Sequence, residues 1–140
     1  MAAFQKFNIF VQDLGRKVHD LNSDVLKIML TNVVPLATNA VKADITEITP
    51  QSGYVAGGVT VATTTYVQAN GVAKLAATAD PIFSATGGSF GPFRYAVLYN
   101  STPAAGPLIG WWDYGIGIPL NNGDTFTVDL DQTNGILTLV

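Results

Sequence analysis

The chain contains one histidine, one glutamate and no cysteine, so few of its side chains could carry acid-base or nucleophilic chemistry. His19 lies between Lys17 and Asp20. A Ser-His-Asp relay would need it, but no GxSxG turn or other nucleophile motif accompanies it. Asp113 is flanked by Trp111, Trp112 and Tyr114, the residue types of an aromatic sugar platform. Glycoside cleavage needs a second carboxylate across the sugar, and the same letters also suit core aromatics beside an aspartate that accepts backbone N–H groups. In DLDQTNG, Asp129, Asp131 and Asn134 precede Gly135 as in a calcium loop. The glycine comes one place late and the closing glutamate is missing, and a β-turn with a polar tip explains the same letters better. Gly57-Gly58 and Gly87-Gly88 lack the lysine and Ser/Thr of a phosphate loop and read as turns. The absence of cysteine removes disulfides, thiolate nucleophiles and cysteine zinc sites. These residues lead to the expectation of a non-enzymatic protein with no catalytic, cofactor-binding or metal-ligating set.

Composition points the same way. With 140 residues and 14.8 kDa the chain has the size of one domain. Its residues are 48% hydrophobic and 12% charged, against roughly 25% charged in an average soluble domain. Such a surface suits a subunit packed among neighbours. The net charge of −3 gives no basic footprint for nucleic acid or an anionic membrane. No apolar run is long enough to span a bilayer, and the N-terminus lacks the basic-then-apolar order of a secretion signal.

The elements that must position these residues centre on residues 93–115. Phe93, Tyr95, Val97 and Tyr99 alternate with Arg94, Ala96 and Leu98, which predicts a strand apolar on both faces. A turn-rich stretch leads to the return strand LIGWWDY. Adjacent strand residues point to opposite faces, so Trp111 and Trp112 should enter different layers. The predicted core is Tyr95, Val97, Trp111, Trp112 and Phe126. Further strands are expected at 24–31, 44–48, 59–68, 72–78, 82–86, 125–130 and 136–140. Asn70-Gly71 and Asn134-Gly135 are hairpin signals. The alanines after residue 72 leave a helix open there, but the preceding turn favours a strand. Residues 32–43, interrupted by Pro35, read as a loop. Residues 1–22 predict an N-terminal helix or extended arm over 4–14, followed by a β-domain over 23–140. The sum is an all-β fold, an antiparallel β-sandwich of jelly-roll type.

The succession LNSDVLKIMLTN, ADITEI, GYVAGGVTV, SATGGSFGPFRYAVLYN, PLIGWWDYG and GDTFTVDLDQTNGILTL resembles small virion structural proteins of tailed bacteriophages over residues 21–140. The YAVLYN and PLIGWWDYG pair is the most specific part. The resemblance implies a head decoration or cement protein on the capsid surface of the virion, assembled in the cytoplasm of the bacterial host. Its partner would be the major capsid protein, with other copies of itself in a homo-oligomer, and no cofactor is required. Attachment is expected to use the arm, through Phe4, Phe7 and Phe10, and the loop, through Val33, Val34 and Pro35. Loss of residues 1–12 should then leave the β-domain folded. A tail, neck or fibre component is the alternative, and after it a carbohydrate-binding module using Trp111, Trp112 and Tyr114.

Overall fold

The structure is a computed structural model that describes residues 2–140. In chain order it runs β1 (Phe4–Lys6), α1 (Asn8–Gly15), β2 (Leu26–Thr31), a 3-10 turn (Lys42–Asp44), β3 (Val59–Thr60), β4 (Thr64–Ala69) and β5 (Val72–Ala77). It continues with β6 (Ile82–Ser84), β7 (Phe90–Asn100), β8 (Leu108–Leu120), β9 (Thr125–Thr127) and β10 (Leu137–Leu139). The strands form three antiparallel sheets with orders β1-β8-β7-β2-β3, β10-β5-β4 and β6-β9. The fold is thus all-β and sandwich-like, as its alternating pattern requires, although the strand order does not spell out a jelly roll. Among the described residues no helix is long and apolar enough to cross a membrane.

The β7–β8 hairpin lies inside the five-stranded sheet, with β2 on one side and β1 on the other. Both of its faces carry bulky apolar groups, and two cores result. The larger, inner core joins Trp112, Ala96, Leu98 and Phe93 to Leu26, Ile28 and Leu30 of β2 and to residues of the two smaller sheets, including Leu75 and Phe83. The outer core gathers Trp111, Tyr95, Val97, Tyr99, Leu108, Met29, Ile45 and Phe7 on the opposite face. Trp111 and Trp112 therefore enter different layers, and Tyr95 and Val97 are buried with Trp111. Phe126 is half-buried, packed edge-on against Phe93 and Tyr114.

Phe93 departs from the simple alternation. It joins the inner core while Tyr95 joins the outer one. Between these two residues the facing partner on β8 jumps from Ile118 to Asp113. Such a bulge bends the strand and re-aims the side chains beyond it.

The N-terminal segment is no detachable arm, and its expectation as a surface element is corrected here. β1 is the edge strand of the five-stranded sheet, with Phe4 opposite Trp112. The Phe4 ring sits edge-on to Trp112 at 5.2 Å and leaves no room for a side chain at Gly110. Phe7 continues the pairing through its N–H to the Ile109 carbonyl at 3.1 Å and lies 4.5 Å from the Trp111 ring. α1 then turns Phe10 into the inner core, where Leu14 packs beside it. Phe7 and Phe10 are buried at 0% and 3% exposure. The three-residue spacing serves a strand that becomes a helix, so the phenylalanines face both cores instead of one exposed stripe.

Two other expectations are revised. The stretch 59–68 is two strands: β3 belongs to the large sheet and β4 to the three-stranded one. Val61, buried and bonded through its N–H to the Leu26 carbonyl at 2.9 Å, marks where the chain crosses between sheets, a common way to build a sandwich corner. Residues 44–48 form no strand. The 3-10 turn ends at Asp44, Ile45 plugs the outer core, and one isolated bridge pairs Glu47 with Thr31. The Asn70-Gly71 signal, by contrast, makes its hairpin. Asn70 and Gly71 have φ of 52° and 81°, both in the left-handed region that a two-residue turn between twisted strands requires.

Candidate interaction surface

A strand covers its neighbour through the ladder; the outer core is covered instead by Phe7 and the irregular segment 32–48. That segment is tied down along its length. The Thr31 hydroxyl donates to the Thr46 carbonyl and accepts from Val33 N–H at 3.1 Å. Asn39 closes a turn by accepting from Leu36 N–H at 2.8 Å, and its own N–H donates to the Leu36 carbonyl at 2.9 Å. Asn8 N–H reaches the Ala37 carbonyl at 2.9 Å, and Leu108 N–H the Ala40 carbonyl at 3.0 Å. Asp44 accepts from Ala40 and Val41 N–H, and these bonds hold its carboxyl below the usual carboxylate range. Pro35 is buried. Between these anchors Val33, Val34 and Leu36 stand 54%, 57% and 58% exposed. Three neighbouring aliphatic side chains thus point outward from a loop tied down on either side of Val34.

Of the residues expected at a contact, Val33 and Val34 are surface groups. Phe7, Phe10 and Pro35 are buried and are corrected, and Phe4 is half-buried against Trp112. Leu36 completes the exposed patch. Its signal lay in the sequence, as the last letter of the apolar run VVPL within a polar loop.

A polar network closes the opposite end of the covering segment. Glu47 Oε2 accepts from the Tyr54 hydroxyl and from Gly57 N–H, the latter at 2.6 Å. The Tyr54 oxygen in turn accepts from Leu30 N–H at 3.0 Å, and Tyr99 donates to the Gly57 carbonyl at 2.7 Å. Burial, with Glu47 adding to it, pushes the Tyr54 hydroxyl far above its ordinary range. Burial likewise raises Tyr99 to about 12. The chain's single glutamate therefore links the covering segment to β2 and β7.

The groups singled out for chemistry are packed or bonded within the fold, although His19 Nε2 is buried without a partner among the described residues. His19 is buried at 6% exposure, with Nδ1 3.1 Å from Asn100 Nδ2 and its ring 5.4 Å from Phe10. Asn100 Nδ2 also donates to Asp24. Burial lowers the His19 pKa, against the opposing pull of Asp13 and Asp24. Asp113 receives a two-pronged contact from Arg94 at 2.8 and 3.0 Å, which draws its pKa down together with the N–H of Gly115. Both tryptophans beside it are buried, so neither offers a face to a sugar ring. Asp131 turns inward on its own loop, accepting from Thr133 and Asn134 N–H and from the Asn134 amide.

What this arrangement can do is bind. It offers an ordered apolar tip on a surface with few charges. No family model, curated protein or solved structure matches the chain.

Proposed function

We propose that this protein is a structural subunit of a tailed-bacteriophage virion, a capsid decoration or cement protein that grips the major capsid protein through the tip formed by Val33, Val34 and Leu36. The observation that carries the reading is this patch of exposed aliphatics on a pre-tied loop. A loop already held by its own hydrogen bonds forfeits little freedom on docking, which leaves more of the contact energy for attachment. Repetition over a lattice would multiply a weak individual contact, and binding only the assembled shell would stabilise that state selectively.

The test is co-sedimentation of the purified protein with heads that lack it. Val33→Ser, Val34→Ser and Leu36→Ser combined should abolish co-sedimentation while the fold remains. Undiminished binding would remove the loop from the contact. Density on the tail instead of the shell, seen by cryo-electron microscopy of the virion, would replace the reading with a tail or neck component.

A further inference from the structure

Beside the Glu47 network, three polar groups from separate parts of the chain converge. A methyl group placed on Gly57 would lie 3.1 Å from the Tyr99 hydroxyl, 3.3 Å from Lys42 Nζ and 3.7 Å from Lys27 Nζ. Lys27 comes from β2, directly opposite Tyr99 of β7. Lys42 comes from the 3-10 turn that ends the covering loop. Both lysines are half-buried, and Gly57 is buried beneath them.

Neither ammonium makes an ion pair within 4 Å among the described residues. Among the described residues the ion pair within reach of 4 Å is Arg94 with Asp113, and the lysine ammonium that donates to a protein acceptor is that of Lys74. Glu47, whose carboxylate lies beside the cluster, has Oε2 occupied by Tyr54 and Gly57 N–H. Asp44 is spent on the backbone of Ala40 and Val41. The position of Lys42 is nonetheless set. Its stem packs over Gly106, and its ammonium sits 5.5 Å from the centre of the Tyr99 ring.

Two ammoniums held near one point repel each other, and each brings three N–H donors with no acceptor of its own. An oxygen of negative charge placed between them relieves the repulsion and forms charge-assisted hydrogen bonds to both. The φ of +91° at Gly57 admits glycine without strain, and any side chain there would occupy the space on which the donors converge.

We propose that Lys27 and Lys42, above Gly57, form a binding site for a single oxyanion group, a carboxylate or a phosphate. The site stands on this geometry alone and does not depend on where the subunit attaches.

The test is an NMR titration of the isotopically labelled full chain with sodium phosphate and, separately, sodium acetate, each against sodium chloride at matched ionic strength. Saturable shifts are expected at the Gly57, Gly58 and Lys42 amides with either anion. A preference for acetate identifies a carboxylate site, a preference for phosphate a phosphoryl site, and equal affinity a site that takes either oxyanion. Lys27→Gln with Lys42→Gln should weaken binding by about tenfold or more, as loss of charge-assisted bonds predicts. If the double variant does not keep a native spectrum, each single variant takes its place, with an expected loss of about threefold or more. Non-saturating shifts equal to those with chloride would overturn the site, as would affinity unchanged in the folded variants.

Discussion

The two faces of the central sheet are covered in different ways. Behind Trp112, strands of two further sheets close the inner core, together with α1 and connecting residues such as Leu21, Tyr54, Val128 and Leu130. Behind Trp111, the cover is Phe7 and the irregular segment that carries Ile45. A cover made of strands spends its side chains on the interior and its backbone on ladders. A cover made of loop must satisfy its backbone locally, through Thr31, Asn39 and Asp44, and is then free to turn some side chains outward. The apolar tip and Lys42 both belong to that second cover, and Lys27 meets Lys42 from β2 of the sheet.

The most severe challenge to this contrast is truncation. Residues 1–12 supply β1, Phe7 to the outer core and Phe10 to the inner one. Their deletion should abolish cooperative unfolding and native NMR dispersion. A truncated chain that melts cooperatively near the parent temperature would show that the segment is an appendage after all.

The tryptophans compare the faces directly. Trp112→Ala should cost about 3–5 kcal/mol, the usual range for a large aromatic in a closed core. Trp111→Ala should cost less, since the loop above it can settle into part of the cavity. Urea denaturation of both variants measures the difference, and a larger loss at Trp111 would invert the proposed order.

Tyr54→Phe probes the link between cover and sheet. It leaves the Leu30 N–H and one side of Glu47 without a partner, for an expected loss of about 1–3 kcal/mol. A neutral outcome in the same denaturation assay would mean that water replaces the hydroxyl.

Acid separates the faces next. The His19 pKa is lowered in the folded chain from its ordinary 6.5, so the unfolded chain binds the proton first. The stability tied to neutral His19 is complete above about pH 6.5 and declines as the pH falls toward the lowered folded value. Asp44, Asp113 and Asp131 are lowered from 3.8, so their contributions are complete above that value and fade only below it. His19→Gln should flatten the melting temperature between pH 6.5 and 5. A persistent slope there would assign the effect to other groups.

The smallest effect on stability belongs to the tip. The combined serine variant at Val33, Val34 and Leu36 should shift stability by no more than about 0.5 kcal/mol at each site, as is usual for exposed positions. A large destabilisation would mean that these side chains pack within the subunit.

The hairpin at residues 93–115 was legible because its period of two and its aromatics leave little choice, and the Asn-Gly turn because its chemistry is local. The side-switch at Phe93 was not, since a strand apolar on both faces gives no sign of a bulge. The split at Val61 was hidden within an unbroken β-branched run. Phe4, Phe7 and Phe10 announced hydrophobic contact without saying with what, and a low-charge composition made an external partner as plausible as the chain's own sheet. Within the apolar tip, Val33 and Val34 could be read from the loop. Lys27 and Lys42 could not, because 15 positions separate them and only the return of the covering segment brings them together.

The hydroxyl of Tyr54 has a consequence for solubility. Beyond Ile28 the outer edge of β2 has no neighbouring strand, since β3 pairs only with Lys27 and Ile28. The exposed rungs are nevertheless taken: Tyr54 accepts from Leu30 N–H, Ile48 N–H donates to the Leu30 carbonyl, and Val61 N–H to that of Leu26. An open edge is a template on which another copy can add a strand and begin a fibre. Here a tyrosine ring anchored in the inner core blocks that template, so many copies can be crowded together without joining edge to edge along β2.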